Sequence, residues 1–139
     1  METIFTIPAT PVPASRPRVF GPGRVAYPKA HLTYEQFLKN TLPQHCKTAA
    51  EGPVEVRLLF VMPPYKTSAY PVHRADVDNL AKLPLDAMTK CGFWTDDSLV
   101  SVLSSSKRFA KAGEEPHTKV RIIPITGGPE HHSQEAFHA

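Results

Sequence analysis

Val54–Met62 reads VEVRLLFVM, with Gly52-Pro53 before it and Pro63-Pro64 after it. β-Branched and large apolar side chains suit a pleated, half-buried surface, and the flanking Gly and Pro residues punctuate it, so the stretch predicts a strand. Leu58–Met62 within it is the longest uncharged apolar run. That is far short of the roughly 20 residues a membrane-crossing helix needs, so no membrane partner is expected.

Downstream, Tyr65–Ala75 is a polar loop, and Asp76 or Asp78 can cap a helix running to about Lys90. Leu80, Leu83 and Ala87, at i, i+3 and i+7, supply its buried stripe. Pro84 interrupts that pattern by removing one hydrogen bond, and should bend the helix. Ser98–Phe109 and Thr118–Ile125 read as two further strands, the last being an edge or ending at Pro124.

Upstream, Glu2–Ile7 alternates as a first strand, with Ile4 and either Phe5 or Ile7 turned to the core. Pro8–Ala30 reads as a long basic Pro/Gly loop. A helix begins at Thr33, where Thr33-Tyr34-Glu35-Gln36 fits a capping box, and Phe37, Leu38 and Leu42 form its apolar side. Pro43 kinks or ends it, with a second helical piece reaching Ala50. The order β–α–β–α–β–β predicts a single α+β domain over residues 1–125, a small mixed sheet with helices on one face. Residues 126–139 form a polar tail.

The 139 residues suffice for one domain with a core, at 41% hydrophobic and 21% charged. Cys46 and Cys91 are the only cysteines and form no CxxC pair, which excludes zinc-finger spacing and favours two free thiols. With no basic-then-apolar leader at METIFTIPATP, a cytoplasmic location is expected. The net charge is only +3, but it is unevenly spread. Arg16, Arg18, Arg24 and Lys29 lie in a stretch without any acid, and Lys107, Arg108 and Lys111 form a second such group. Basic loops of this kind suit a polyanionic partner, nucleic acid above all, although solvated surface charge accounts for them equally well.

His73–Val100 carries the chemistry, with Asp76, Asp78, Asp86, Asp96 and Asp97 close together. Asp76 and Asp78 straddle one residue at the start of the helix, Lys82 follows one turn later, and Asp96-Asp97 could return against the helix start. Crowded carboxylates are costly without a cation, and hard oxygen ligands without nearby Cys or His prefer Mg²⁺ to Zn²⁺. Such an ion suits phosphoryl chemistry. The same residues also read as helix caps, turns and an i, i+4 ion pair, and spacing alone leaves both readings open. Phe93 and Trp94 fit core or interface positions better than base stacking. The seven histidines form no convincing ligand set, although His73 could touch a phosphate.

The segment Asp76-Val77-Asp78-Asn79-Leu80-Ala81-Lys82, then Asp86-Ala87-Met88, then Phe93-Trp94-Thr95-Asp96-Asp97, resembles the signature of the RusA family of Holliday junction resolvases. Pro11-Val12-Pro13 with Arg16-Pro17-Arg18 is similar to the Pro-rich basic N-terminal segment of phage-type members. The resemblance implies a homodimeric endodeoxyribonuclease that nicks two opposed strands of a four-way junction with Mg²⁺, for which Mn²⁺ would substitute. It implies Asp76, Asp78 and Asp97 as metal ligands, Lys82 as the catalytic lysine, and Asp96 as a less certain neighbour. Arg16, Arg18, Arg24, Lys29, Arg74, Lys107, Arg108 and Lys111 would then contact DNA. Some relatives have two arginines before the first Asp, where Arg74-Ala75 keeps one, a difference that bears on DNA affinity rather than chemistry. The rivals are a nuclease for forks or flaps and a non-catalytic nucleic-acid adaptor. A small-molecule phosphohydrolase would need a Gly-rich phosphate loop, which the sequence lacks.

Overall fold

The computed structural model describes residues 2–64 and 75–126. The loop expected over Tyr65–Ala75, including His73 and Arg74, lies outside the described residues apart from Ala75, and so does the tail from residue 127 onward.

Strand β4 occupies Val54–Met62 as expected. Its alternate residues Val54, Val56, Leu58, Phe60 and Met62 are buried on one face. It pairs antiparallel with β6, His117–Pro124, and parallel with β5, Val100–Phe109. Strand β1, Thr3–Ile7, closes the other side, giving the order β1-β6-β4-β5. The sheet is therefore mixed, and the domain is α+β.

Helix α1, Lys29–Thr41, and helix α2, Val77–Cys91, contribute Tyr34, Leu38, Leu80, Leu83 and Met88 to a single core with this sheet. Each such side chain, fully buried, stabilises the fold by roughly 1.5–3 kcal/mol before conformational entropy is subtracted. α2 continues through the buried Pro84 and stops at Gly92, whose φ of 96° lets its N–H reach back to Met88 and Thr89 carbonyls. Phe93 and Trp94 then turn into the core, where the Trp94 indole N–H donates to Thr89 Oγ1 at 2.9 Å.

Several expectations are corrected. Ile4 is 56% exposed while Phe5 and Ile7 are buried, so β1 faces the core through the opposite register. α1 starts at Lys29 after Pro28, so Thr33 lies inside the helix and caps nothing. The preset φ of a proline at the helix boundary takes the place of the capping box. The second helical piece is a short 3-10 turn at Leu42–His45. The Pro8–Ala30 segment is not all loop: β2, Arg18–Gly21, and β3, Arg24–Ala26, form a separate two-stranded hairpin. Of the two alternatives for β6, it ends at Pro124 as expected and is an interior strand; among the described strands the edges are β1 and β5. A short 3-10 turn at Asp97–Leu99 precedes β5, which therefore begins at Val100 rather than Ser98.

Candidate active site and basic arm

The carboxylates fall at two ends of the βαβ unit formed by β4, α2 and β5. Asp76 is the residue before α2, extended at φ −73° and ψ 146°, and Asp78 lies in its first turn. Both are exposed, and the Asp76 side chain makes no capping hydrogen bond. Its cap reading is therefore not realised, and both exposed carboxylates lie beside the positive end of the helix dipole, which favours negative charge. Lys82 is exposed one turn further on. Ion pairs among the described residues involve Glu2, Glu35, Glu55 and Glu114, so Lys82 is not held by Asp78.

This end of α2 is fixed from two directions. Lys107 Nζ, near the end of β5, donates to the Ala75 carbonyl at 2.6 Å. The backbone N–H of Ala14, in the Pro-rich segment, donates to the Asn79 carbonyl at 3.0 Å. The basic arm thus runs directly over the turn that carries Asp76 and Asp78. Two residues beyond Ala14, Arg16 is exposed. The arm is also tied to α1, because the Ser15 N–H donates to Nδ1 of the buried His31 at 3.1 Å. The other ring nitrogen of His31 lies 3.6 Å from Glu35, and the Tyr27 ring stacks on the imidazole at 4.5 Å.

Asp96 and Asp97 sit at the opposite end. Backbone bonds from Ala50 to Phe93 and from Thr95 to Ala50 hold their turn beside the start of β4. There Val54 pairs with Val100. Ser98 Oγ donates to Asp96 at 2.6 Å, and this bond, with Asp97 adjacent, holds the Asp96 carboxyl below its ordinary range. α2 alone separates the two ends by about 22 Å at 1.5 Å per residue. The expected return of Asp96-Asp97 against the helix start does not occur within one chain. In agreement, no three Asp, Glu, His or Cys side chains among the described residues are close enough to hold a metal. Asp76 and Asp78 suit a hard cation as a pair of ligands, but the full set does not come together in a single copy. Asp86 lines a cleft of about 610 Å³ between α1 and α2, away from these carboxylates.

The basic residues divide by what they already touch. Arg16, Arg24, Lys29 and Lys111 are exposed, Arg18 opens β2, and Arg74 lies outside the described residues. Lys107 braces α2 as described. Arg108 is gripped by both oxygens of Glu114, at 2.6 and 2.8 Å. The guanidinium and the Lys111 N–H together hold the Glu114 carboxyl down to about 2. Glu114, beyond the acid-free run, was the missing partner: the tight turn at Gly113, φ 81°, folds it back on Arg108.

Both cysteines are free thiols. Cys46 Sγ lies 3.8 Å from the Cys91 carbonyl, and burial, with the Cys46 thiol beside it, pushes the Cys91 thiol up. No helix among the described residues is long and apolar enough to cross a membrane.

Comparison with known proteins places the chain in a family. Matched segments are 63% identical over 27 residues to the crossover junction endodeoxyribonuclease RusA of Escherichia coli O139:H28, covering 19% of this chain and 22% of the relative. They are 44% identical over 48 residues to the proteins of the same name from Escherichia coli K12 and from enterobacteria phage 82, covering 34% of each chain. The aligned stretches thus span about a third or less of these curated relatives. The family model described as endodeoxyribonuclease RusA matches residues 8–123, from the Pro-rich arm through β6. That match takes in the arm, both helices and all of the main sheet but β1 and the last residue of β6, and the chain belongs to the endodeoxyribonuclease RusA family.

Proposed function

We propose that this protein is a Mg²⁺-dependent endodeoxyribonuclease that resolves four-way DNA junctions as a homodimer, by paired symmetric nicks. The observation that carries the reading is the Ala14–Asn79 hydrogen bond, which sets an acid-free basic arm against the two exposed carboxylates of α2. A phosphate backbone lying along that arm would be delivered to Asp76 and Asp78. When bound, Mg²⁺ would polarise a phosphate oxygen and lower the pKa of its water. The Lys82 ammonium would offset charge on the phosphoryl group or orient the attacking water. Arg16, Arg24, Lys29 and Lys111 would take neighbouring phosphates, giving an affinity that falls steeply with salt.

The second copy has a chemical task. Among the described strands, β5, of ten residues, stands at one edge of the sheet, the position at which a second copy can add a strand. Antiparallel pairing with its own copy about a two-fold near Leu103–Ser104 would set Val100 of one protomer opposite Lys107 of the other. Asp97 of the partner subunit would then lie beside Asp76 and Asp78, completing each site. Two such sites related by a two-fold match a junction cut at two symmetric points.

The test is cleavage of a labelled synthetic four-way junction beside linear duplex and fork, with and without Mg²⁺, with Asp78→Asn as control. Paired symmetric nicks that need both Mg²⁺ and Asp78 support the reading. Metal-dependent cutting that favours forks keeps the site and changes the substrate. Tight junction binding without cutting under Mg²⁺ or Mn²⁺ leaves a non-catalytic adaptor.

A further inference from the structure

The β2–β3 hairpin stands apart from the main sheet and exposes what such an element normally hides. Val19 and Val25 face each other directly across its two strands and are 74% and 59% exposed. An isolated two-stranded hairpin is at best marginally stable in water, so an uncovered apolar pair on its surface is out of keeping with a purely structural role. Its tip is tight: Gly21-Pro22-Gly23-Arg24 places Pro and then a Gly with φ 77° at the centre, as a type II turn requires. Its base is fixed through Ala14 to Asn79, through Ser15 to His31, and through Tyr27 stacked on His31. No acidic residue occurs between Glu2 and Glu35, so every charged residue that the hairpin itself carries is basic.

We propose that this hairpin is the branch-reading element: the Val19–Val25 pair packs on the base-pair face exposed where duplex arms diverge, while Arg24 takes the flanking phosphate. This rests on the branched-DNA reading above. An apolar pair without hydrogen-bonding groups gains nothing from the polar edges of an intact groove, but gains burial against an open base-pair face. Apolar side chains inserted at base steps are a general means of recognising and stabilising distorted DNA. The hairpin's own basic residues explain how an apolar tip reaches a polyanion, and the anchored base fixes its distance from Asp78. Selectivity for the branch would thus come from shape, with phosphate contacts supplying affinity for any duplex.

The experiment compares the full chain with V19T/V25T, which keeps β-branched shape and hairpin propensity, and with V19A/V25A. Both positions are exposed, and thermal unfolding checks that the fold is retained. Binding to a four-way junction and to a duplex of equal length is measured with 2-aminopurine at the branch. The native protein raises the branch fluorescence, and both variants lose that rise. Their junction affinity falls about tenfold, as expected from losing buried apolar area, while duplex affinity stays within about twofold. Unchanged junction affinity and fluorescence would overturn the proposal, and equal loss on junction and duplex would do the same. A variant-induced change in oligomeric state would instead assign the pair to contact between copies. A native protein that binds junction and duplex equally would remove the branched-DNA reading itself, and the hairpin's role with it.

Discussion

Lys107 Nζ donates to the Ala75 carbonyl at 2.6 Å, joining the far end of β5 to the residue before Asp76. The bond crosses from edge strand to helix start, and so ties the position of the α2 carboxylates to the sheet. Lys107 therefore acts here as a brace. Lys107→Met is expected to cost about 2 kcal/mol, the scale for a hydrogen bond from a charged donor to a buried carbonyl. Junction cleavage should fall more than junction binding. Chemical denaturation and single-turnover kinetics measure the two effects separately.

The arm is held to α1 by the same kind of economy of contacts. His31 is 5% exposed and accepts the Ser15 N–H, so His31→Ala leaves that donor without its partner and opens a gap under Tyr27. A loss of about 2 kcal/mol in stability is expected. Amide exchange should quicken over the arm around Ser15, while β4 and β6 keep their protection.

The Arg108–Glu114 pair has a defined pH window. Glu114 is held at about 2 in the folded chain against 4.5 for an unperturbed group. Its folded-state value is depressed, so the contribution is fully present above about pH 4.5 and is lost as pH falls towards 2. Glu114→Gln should therefore lower the thermal midpoint modestly at pH 7. The difference from the native chain should shrink below pH 4.5 and be gone near pH 2, as followed by circular dichroism.

Tyr34 presents the opposite case. Its hydroxyl and that of Thr118 face each other in the core without closing a good hydrogen bond. Burial pushes the phenol up to about 12. Tyr34→Phe removes a buried polar atom and little else, so it should be neutral or stabilising by up to about 1 kcal/mol. Equilibrium unfolding of the two proteins checks this.

The sequence made the central strand and the second helix legible because their periodicity is strong and their punctuation clear. Val54–Met62 is bounded by Pro on both sides, and Leu80 and Leu83 repeat at helical spacing. The hairpin was obscured by prolines that read as loop, although Gly21-Pro22-Gly23 between two short apolar runs carried its turn signal. The capping-box pattern at Thr33 competes with Pro28, after which the helix starts a turn earlier, at Lys29. The pairing of Arg108 with Glu114 depends on a turn that brings together residues six apart, which charge runs do not reveal. For the candidate site, spacing in the sequence does not reveal the separation of its carboxylates: a helix between Asp78 and Asp97 carries them to opposite ends.

That separation makes mixing the most direct test. Asp78→Asn and Asp97→Asn chains are each purified, then unfolded and refolded together so that roughly half the dimers contain one of each. If each site takes Asp76 and Asp78 from one copy and Asp97 from the other, a mixed dimer has one intact site and one doubly altered site. The account predicts that neither variant alone cuts a four-way junction with Mg²⁺, and that the mixture regains single nicks. A mixture that binds the junction as tightly as the native protein, forms mixed dimers and still makes no nicks would contradict it.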